Sequence, residues 1–147
     1  MSLETQIQQD IKAAMLAKEK TRLEALRGIK AAILLAKTAD GSGAITDEEI
    51  IKIIQKLVKQ RKESAGIYIQ QNRQELADNE LTEAAAMEVY LPKQLSEAEV
   101  ETELKKIIAA VGASGPQDMG KVMGVATKQL AGKADGKLIS VLVKKLL

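Results

Sequence analysis

The chain has 147 residues and a formal net charge of +2, and its composition excludes several classes of protein. It has no cysteine and no histidine, which removes disulfides, thiolate chemistry, the commonest general base and the commonest transition-metal ligand. The two tyrosines are its only aromatic residues, so the core must consist of aliphatic side chains, alanine and methionine, which favours helix-on-helix packing. No stretch approaches the ~18 apolar residues of a membrane span, and the N-terminus is polar, so we expect a cytoplasmic protein without membrane, metal or cofactor.

The first 90 residues show helical periodicity in four consecutive segments. The expected helices cover about 2–18, 21–39, 46–71 and 74–89. A glycine-rich turn is expected over residues 40–44. Thr21, Thr46 and Ser96 each precede a glutamate by three residues, which is the spacing of a capping box, so each is expected to begin a helix.

Pro92 interrupts the helical pattern. Proline cannot continue a helix, and it disfavours the α conformation for Leu91. We therefore expect a hinge at residues 91–95, between an N-terminal helical domain at 1–90 and a C-terminal three-helix domain at 96–147. The C-terminal helices are expected at about 96–111, at about 117–131 and from 135 onward. The predicted fold class is all-α, with about four helices before the hinge and three after it.

Gly120 and Gly124 lie four residues apart within a predicted helix. Each costs about 0.5–1 kcal/mol relative to alanine, so their presence needs a reason. They border an apolar stripe, and we expect a neighbouring helix to pack closely against them; the alternative is a ligand that approaches the backbone. Gly132 is expected to end this helix, and Asp135 to cap the next one.

Charge is unevenly distributed along the chain. Residues 50–62 carry five basic side chains and no acidic one, residues 63–90 carry six acidic side chains and one arginine, and residues 112–147 carry six lysines against two aspartates. Charged runs on helices are most often solvated surfaces. In the last segment, however, Lys121 and Lys128 share one side of a helix, and Lys133 and Lys137 flank a helix–helix corner. These four lysines are the candidate nucleic-acid-binding residues.

Five segments resemble a known family: "LEALRGIKAAI" (23–33), "KLVKQRKES" (56–64), "YLPKQLSEAEVE" (90–101), "MGKVMG" (119–124) and "GKADGKLIS" (132–140). In this order they closely resemble the YqeY-like family of small bacterial proteins. That family is similar to the tail of the B subunit of the glutamine-dependent tRNA amidotransferase and to the N-terminal extension of some glutaminyl-tRNA synthetases. The resemblance implies the two helical domains and a hinge at "YLPKQL". This chain has Lys133 where the family usually has arginine, so it lacks the bidentate fork that suits phosphate.

Three functions are compatible with these features. The first is an accessory protein that binds tRNA through the basic C-terminal domain, and this is the function we favour. The second is an adaptor that docks through the N-terminal helices or the acidic segment 63–90 onto a protein of the aminoacyl-tRNA pathway. The third, implied only by the family, is a carbon–nitrogen ligase with glutamine as amide donor. No catalytic constellation is recognisable, so we expect a protein that is not an enzyme.

Overall fold

A computed structural model of the chain describes residues 1–39 and 41–147. Over these residues it contains helices α1 (Leu3–Leu16), α2 (Lys20–Ala39), α3 (Asp47–Gln70), α4 (Gln74–Glu88), α5 (Glu97–Val111), α6 (Met119–Gln129) and α7 (Gly136–Leu146), with a short 3₁₀ turn at Pro116–Asp118. No strand occurs in the described ranges, and the predicted all-α fold class is confirmed. Asp40, the first residue of the predicted turn, lies outside the described residues.

The chain forms two compact units, residues 1–91 and residues 92–147, each with its own hydrophobic core. In the first unit, α3 and α4 form a long hairpin that packs with α1 and α2. Its largest fully buried side chains are Ile7, Leu26, Ile29, Ile50, Ile54 and Met87. Among the described residues of either unit, no polar or charged residue falls in the buried class.

Tyr90, near the end of the first unit, is hydrogen-bonded to α1. Its hydroxyl donates a hydrogen bond to Oδ2 of Asp10 at 2.6 Å, and Nη2 of Arg22 lies 4.0 Å from Oδ1 of the same carboxylate. Burial raises the pKa of Tyr90, and the bond to Asp10 raises it further. The hydroxyl therefore remains a protonated donor throughout the neutral pH range.

The second unit is a three-helix arrangement of α5, α6 and α7. Its fully buried side chains are aliphatic, and the largest are Leu104, Leu142, Val100, Val122 and Val143. The small core makes the helix ends important, because each cap contributes a large share of the unit's limited stability.

Two of the three predicted capping positions begin a helix. Ser96 forms a complete capping box: its hydroxyl accepts from the Glu99 N–H at 3.2 Å, and the Glu99 carboxylate accepts from the Ser96 N–H at 3.0 Å. Thr46 caps α3, and its hydroxyl accepts from the Glu49 N–H at 3.2 Å.

The third predicted capping position, Thr21, is wrong. The backbone takes the left-handed conformation at Lys18, with φ of 57°, and the chain turns there. The helix then restarts at Lys20, and the Glu19 carbonyl accepts from the Leu23 N–H at 2.9 Å. Thr21 therefore lies inside the first turn of α2, where its hydroxyl cannot act as an N-cap.

The capping box at Ser96 predicts a pH-dependent stability. The hydrogen bonds from the Ser96 N–H and hydroxyl lower the pKa of Glu99 below its ordinary value. A lowered folded-state pKa means that the carboxylate stabilises the fold above the unfolded-state pKa and loses this effect as pH falls through the folded-state pKa. We therefore expect Glu99→Gln to reduce the free energy of unfolding at pH 7 and to have little effect at pH 3, as measured by urea unfolding.

Glu103→Gln is the matched control, because Glu103 lies on the same helix and only pairs with Lys106 at 3.4 Å. Equal unfolding of the two variants at pH 7 would contradict the assigned role of the capping box.

Candidate nucleic-acid interface

The segment before α5 is hydrogen-bonded to the turn between α6 and α7. The Leu95 N–H donates to the Lys133 carbonyl at 2.9 Å. Nε2 of the Gln94 side chain donates to the Gly132 carbonyl at 2.6 Å and to the Pro92 carbonyl at 2.9 Å. These bonds make residues 92–95 part of the second unit. Bending at the predicted hinge stays a prediction, and it would have to occur before Pro92.

The turn between α6 and α7 depends on Gly132. This residue is buried and has φ of 77°, a left-handed conformation that disfavours residues with a β-carbon. Asp135 takes the N-cap position of α7, with extended φ and ψ of −70° and 133°, but its side chain makes no capping hydrogen bond. The expected side-chain cap is therefore not formed: the backbone has N-cap geometry, but the carboxylate does not accept from the first-turn N–H groups.

All four predicted lysines are exposed at the surface of the second unit. Lys121 and Lys128 lie on the outer side of α6, about 10 Å apart along the helix axis. Lys133 lies in the turn, and Lys137 lies in the first turn of α7. Within the described part of the chain, none of the four forms a salt bridge, whereas Lys105 and Lys106 on α5 pair with glutamates. The four ammonium groups are thus available to an external anion.

Gly120 and Gly124 face solvent, and the predicted close helix packing against them is wrong. A β-carbon at either position would meet no atom of a neighbouring element within 4 Å. The physical reason is the orientation of α6, which contacts its core through Val122, Ala126 and Leu130. This orientation directs the two glycines away from the core.

The outer side of α6 is therefore a small-residue surface bordered by lysines. Gly120, Gly124 and Thr127 follow one another at spacings of four and three residues, so they lie on one side of the helix, and all three are exposed. Lys121 and Lys128 lie next to them. We call these five residues the α6 surface. Its small side chains leave the helix backbone open to close approach by another molecule.

Sequence reasoning missed Lys93. It is exposed, and its backbone directly precedes the Gln94 and Leu95 groups that bond to the turn. The Lys93 backbone thus lies beside the turn that carries Lys133, although the two are forty positions apart in the sequence. Only the hydrogen bonds reveal this proximity, because no local pattern marks it.

Across residues 1–39 and 41–147, no group of three or more potential ligands is placed to hold a metal ion. Within the same residues, none of the helices has the length and apolarity that crossing a membrane requires.

Comparisons with known proteins relate the chain to one family. A family model described as "Yqey-like protein" matches residues 4–147. A protein of Meyerozyma guilliermondii named "Altered inheritance of mitochondria protein 41, mitochondrial" is 34% identical over 123 residues, which cover 81% of this chain and 64% of that protein. The protein of the same name from Kluyveromyces lactis is 31% identical over 137 residues, which cover 90% of this chain and 69% of that protein. The chain thus spans about two thirds of the length of these fungal relatives.

The solvent-facing position of Gly124 predicts that alanine stabilises the second unit. A helical interior position gains about 0.5–1 kcal/mol when alanine replaces glycine, and no neighbouring atom obstructs the new methyl group. Gly132→Ala is the matched contrast, and we expect it to destabilise by about 1–2 kcal/mol because of its left-handed backbone. Urea unfolding followed by circular dichroism measures both changes. Destabilisation by Gly124→Ala would show that something packs on this side of α6.

Proposed function

The chain belongs to the YqeY-like family. On this basis we propose that it is an accessory protein that binds tRNA through the C-terminal unit. The proposed contact surface consists of the α6 surface together with Lys133 and Lys137, and Lys93 extends it. Homology to the glutamine-dependent tRNA amidotransferase is part of the same proposal.

The observation that carries the proposal is the α6 surface. Its glycines lower the stability of the helix, and within this unit nothing packs against them. Glycines that lower helix stability and make no packing contact are best explained by an interaction with another molecule. Lys121 and Lys128 border the glycines, and both are exposed without a salt bridge in the described chain. An anionic backbone fits such a surface, because it can approach the helix closely while the lysines contact its phosphates.

The residue types predict how RNA would be recognised. Residues 92–147 contain no aromatic side chain, so the unit offers no platform on which bases stack. Lysine ammonium groups contact phosphates without reading sequence, and A-form RNA is recognised mainly by shape and by its backbone. We therefore expect binding that depends strongly on salt and weakly on sequence.

Neither the family description nor the names of the fungal relatives states an enzymatic activity, and we propose none. No cofactor enters the proposed function. A cytoplasmic location belongs to the same proposal, whereas the fungal relatives are mitochondrial by name.

The first test replaces Lys128 and Lys133 by alanine together. We expect weaker binding of bulk tRNA. We also expect the slope of log affinity against log salt to be shallower by roughly one to two units, because fewer phosphate contacts mean that fewer counterions are released on binding. Lys133→Arg alone should strengthen binding, because a guanidinium can contact phosphate in bidentate fashion. Salt-titrated fluorescence anisotropy of the full-length protein with labelled tRNA measures both effects.

The matched control replaces Lys105 and Lys106 by alanine, which removes the same charge from the same unit but from ion-paired positions. Equal loss of affinity in the two double variants would show that only net charge matters and would contradict the proposed surface. Absence of tRNA binding at about 150 mM salt, where charges farther apart than roughly 8 Å are largely screened, would overturn the proposal itself.

The second test isolates the glycines from the charges. Gly124→Leu fits the fold, because no neighbouring atom lies within 4 Å of the new β-carbon. The side chain would hold an RNA backbone away from α6, so we expect lower affinity at every salt concentration with an unchanged salt slope. A leucine variant that binds tRNA as tightly as the wild type would remove the glycines from the interface.

A further inference from the structure

The α3–α4 hairpin extends beyond the core of the first unit. That core includes Val58 of α3 and Ala84 of α4, and it includes no buried residue closer to the turn between these helices. From Val58 to the end of α3 is a further 12 residues, or about 18 Å of helix. In this stretch Ala65 and Ala77 are buried outside the core, which is typical of two helices that pack only on each other. We call residues 60–81 the hairpin tip.

A shallow groove runs along one side of the hairpin tip. It is lined by Gln60, Arg61, Glu63, Ser64, Ile67 and Glu80. Ile67 leaves 54% of its surface exposed in this groove. Leu76, 38% exposed, lies one helical turn before Glu80 on the same side of α4. The hairpin tip thus leaves two large apolar side chains exposed, one on each of its helices.

Arg61 forms ion pairs with two carboxylates of α4. Its Nη1 lies 3.5 Å from Oε2 of Glu80 and 3.3 Å from Oε2 of Glu83. Gly28 of α2 gives the guanidinium room, because a β-carbon there would lie 3.3 Å from Nη2. A single positive charge therefore faces two fixed carboxylates. Burial raises the pKa of Glu83, and Arg61 opposes that rise.

Further negative charge surrounds the same groove. The hairpin tip contains Arg61, Lys62 and Arg73 against Glu63, Glu75, Asp78 and Glu80. Arg61 and Lys62 pair with glutamates, so the charged side chains of the tip that form no salt bridge within the described chain are Glu63, Glu75 and Asp78 against Arg73. This excess of unpaired carboxylates disfavours RNA as an occupant, because phosphates would be repelled. It also disfavours the tip of a second copy of this chain, which would bring the same carboxylates into apposition.

We infer that the hairpin tip is a docking surface for a basic amphipathic helix of a protein partner. Apolar side chains of the partner, spaced three or four residues apart, would cover Ile67 and Leu76, and its lysines or arginines would meet Glu63 and Glu80. Helix-in-groove binding of this kind combines an apolar contact with flanking charge pairs that select the partner. The inference is independent of tRNA binding, because it concerns other residues with the opposite charge.

The test uses a fluorescein-labelled peptide of about 14 residues that carries leucines at helical spacing and lysines on the remaining surface. The full-length protein is titrated into the peptide, and anisotropy reports binding. A scrambled peptide of the same composition keeps the charge and loses the apolar stripe. We expect the amphipathic peptide to bind at least roughly tenfold more tightly than the scrambled one, since burial of apolar area supplies the difference.

Two variants locate the peptide on the protein. Ile67→Ser should weaken binding roughly fivefold or more, because it removes exposed apolar surface from the groove. Ile69→Ser is the matched control: Ile69 is 48% exposed on the same helix but two residues away, on the other side. Because both positions are exposed, both variants should keep the wild-type circular dichroism spectrum.

Three outcomes would overturn the inference: equal binding of the two peptides, equal loss of affinity in the two variants, or no binding of either peptide. Self-association of the free protein that Ile67→Ser abolishes would assign the groove to a second copy of the chain, which also overturns it. Analytical ultracentrifugation of wild type and Ile67→Ser distinguishes that case.

Discussion

The absence of phenylalanine and tryptophan is the constraint on which the rest of the structure depends. Each core must exclude water with aliphatic side chains, alanine and methionine, so buried area accumulates through many modest contacts between helices. The inner sides of the helices are thereby committed to packing, and no residue in the buried class is polar or charged among those described. Groups that could recognise another molecule are consequently found on the outer sides of helices and at turns.

The small net charge conceals two chemically opposite surfaces. The α6 surface combines exposed glycines with lysines that form no salt bridge in the described part of the chain, whereas the hairpin tip combines exposed isoleucine and leucine with carboxylates. By the two proposals, the α6 surface suits nucleic acid and the hairpin tip suits a cationic helix. Because the two surfaces belong to different units, each can be altered without touching the residues of the other. Under both proposals, one short chain would bind two kinds of partner through separate units.

Local signals predicted most of the fold, and the failures have specific causes. Apolar periodicity located all the helices, and the capping sequences at Thr46 and Ser96 located two helix starts closely. The prediction that Thr21 caps α2 was wrong because the chain turns at Lys18, which has a left-handed backbone, and α2 already begins at Lys20. Spacing showed correctly that Gly120 and Gly124 lie together, but it cannot tell whether a neighbour covers them. Lys93 was missed because its place beside the turn results from hydrogen bonds between distant segments.

Those same hydrogen bonds indicate where the second unit should begin if it is transferred into another protein as a domain. A fragment beginning at Ser96 would keep all three helices, yet it would leave the carbonyls of Gly132 and Lys133 without the donors supplied by Gln94 and Leu95. A fragment beginning at Pro92 carries those donors with it. Recombination or gene fusion that inserts this unit elsewhere should therefore preserve the residues just ahead of α5, and the breakpoint should fall upstream of the proline.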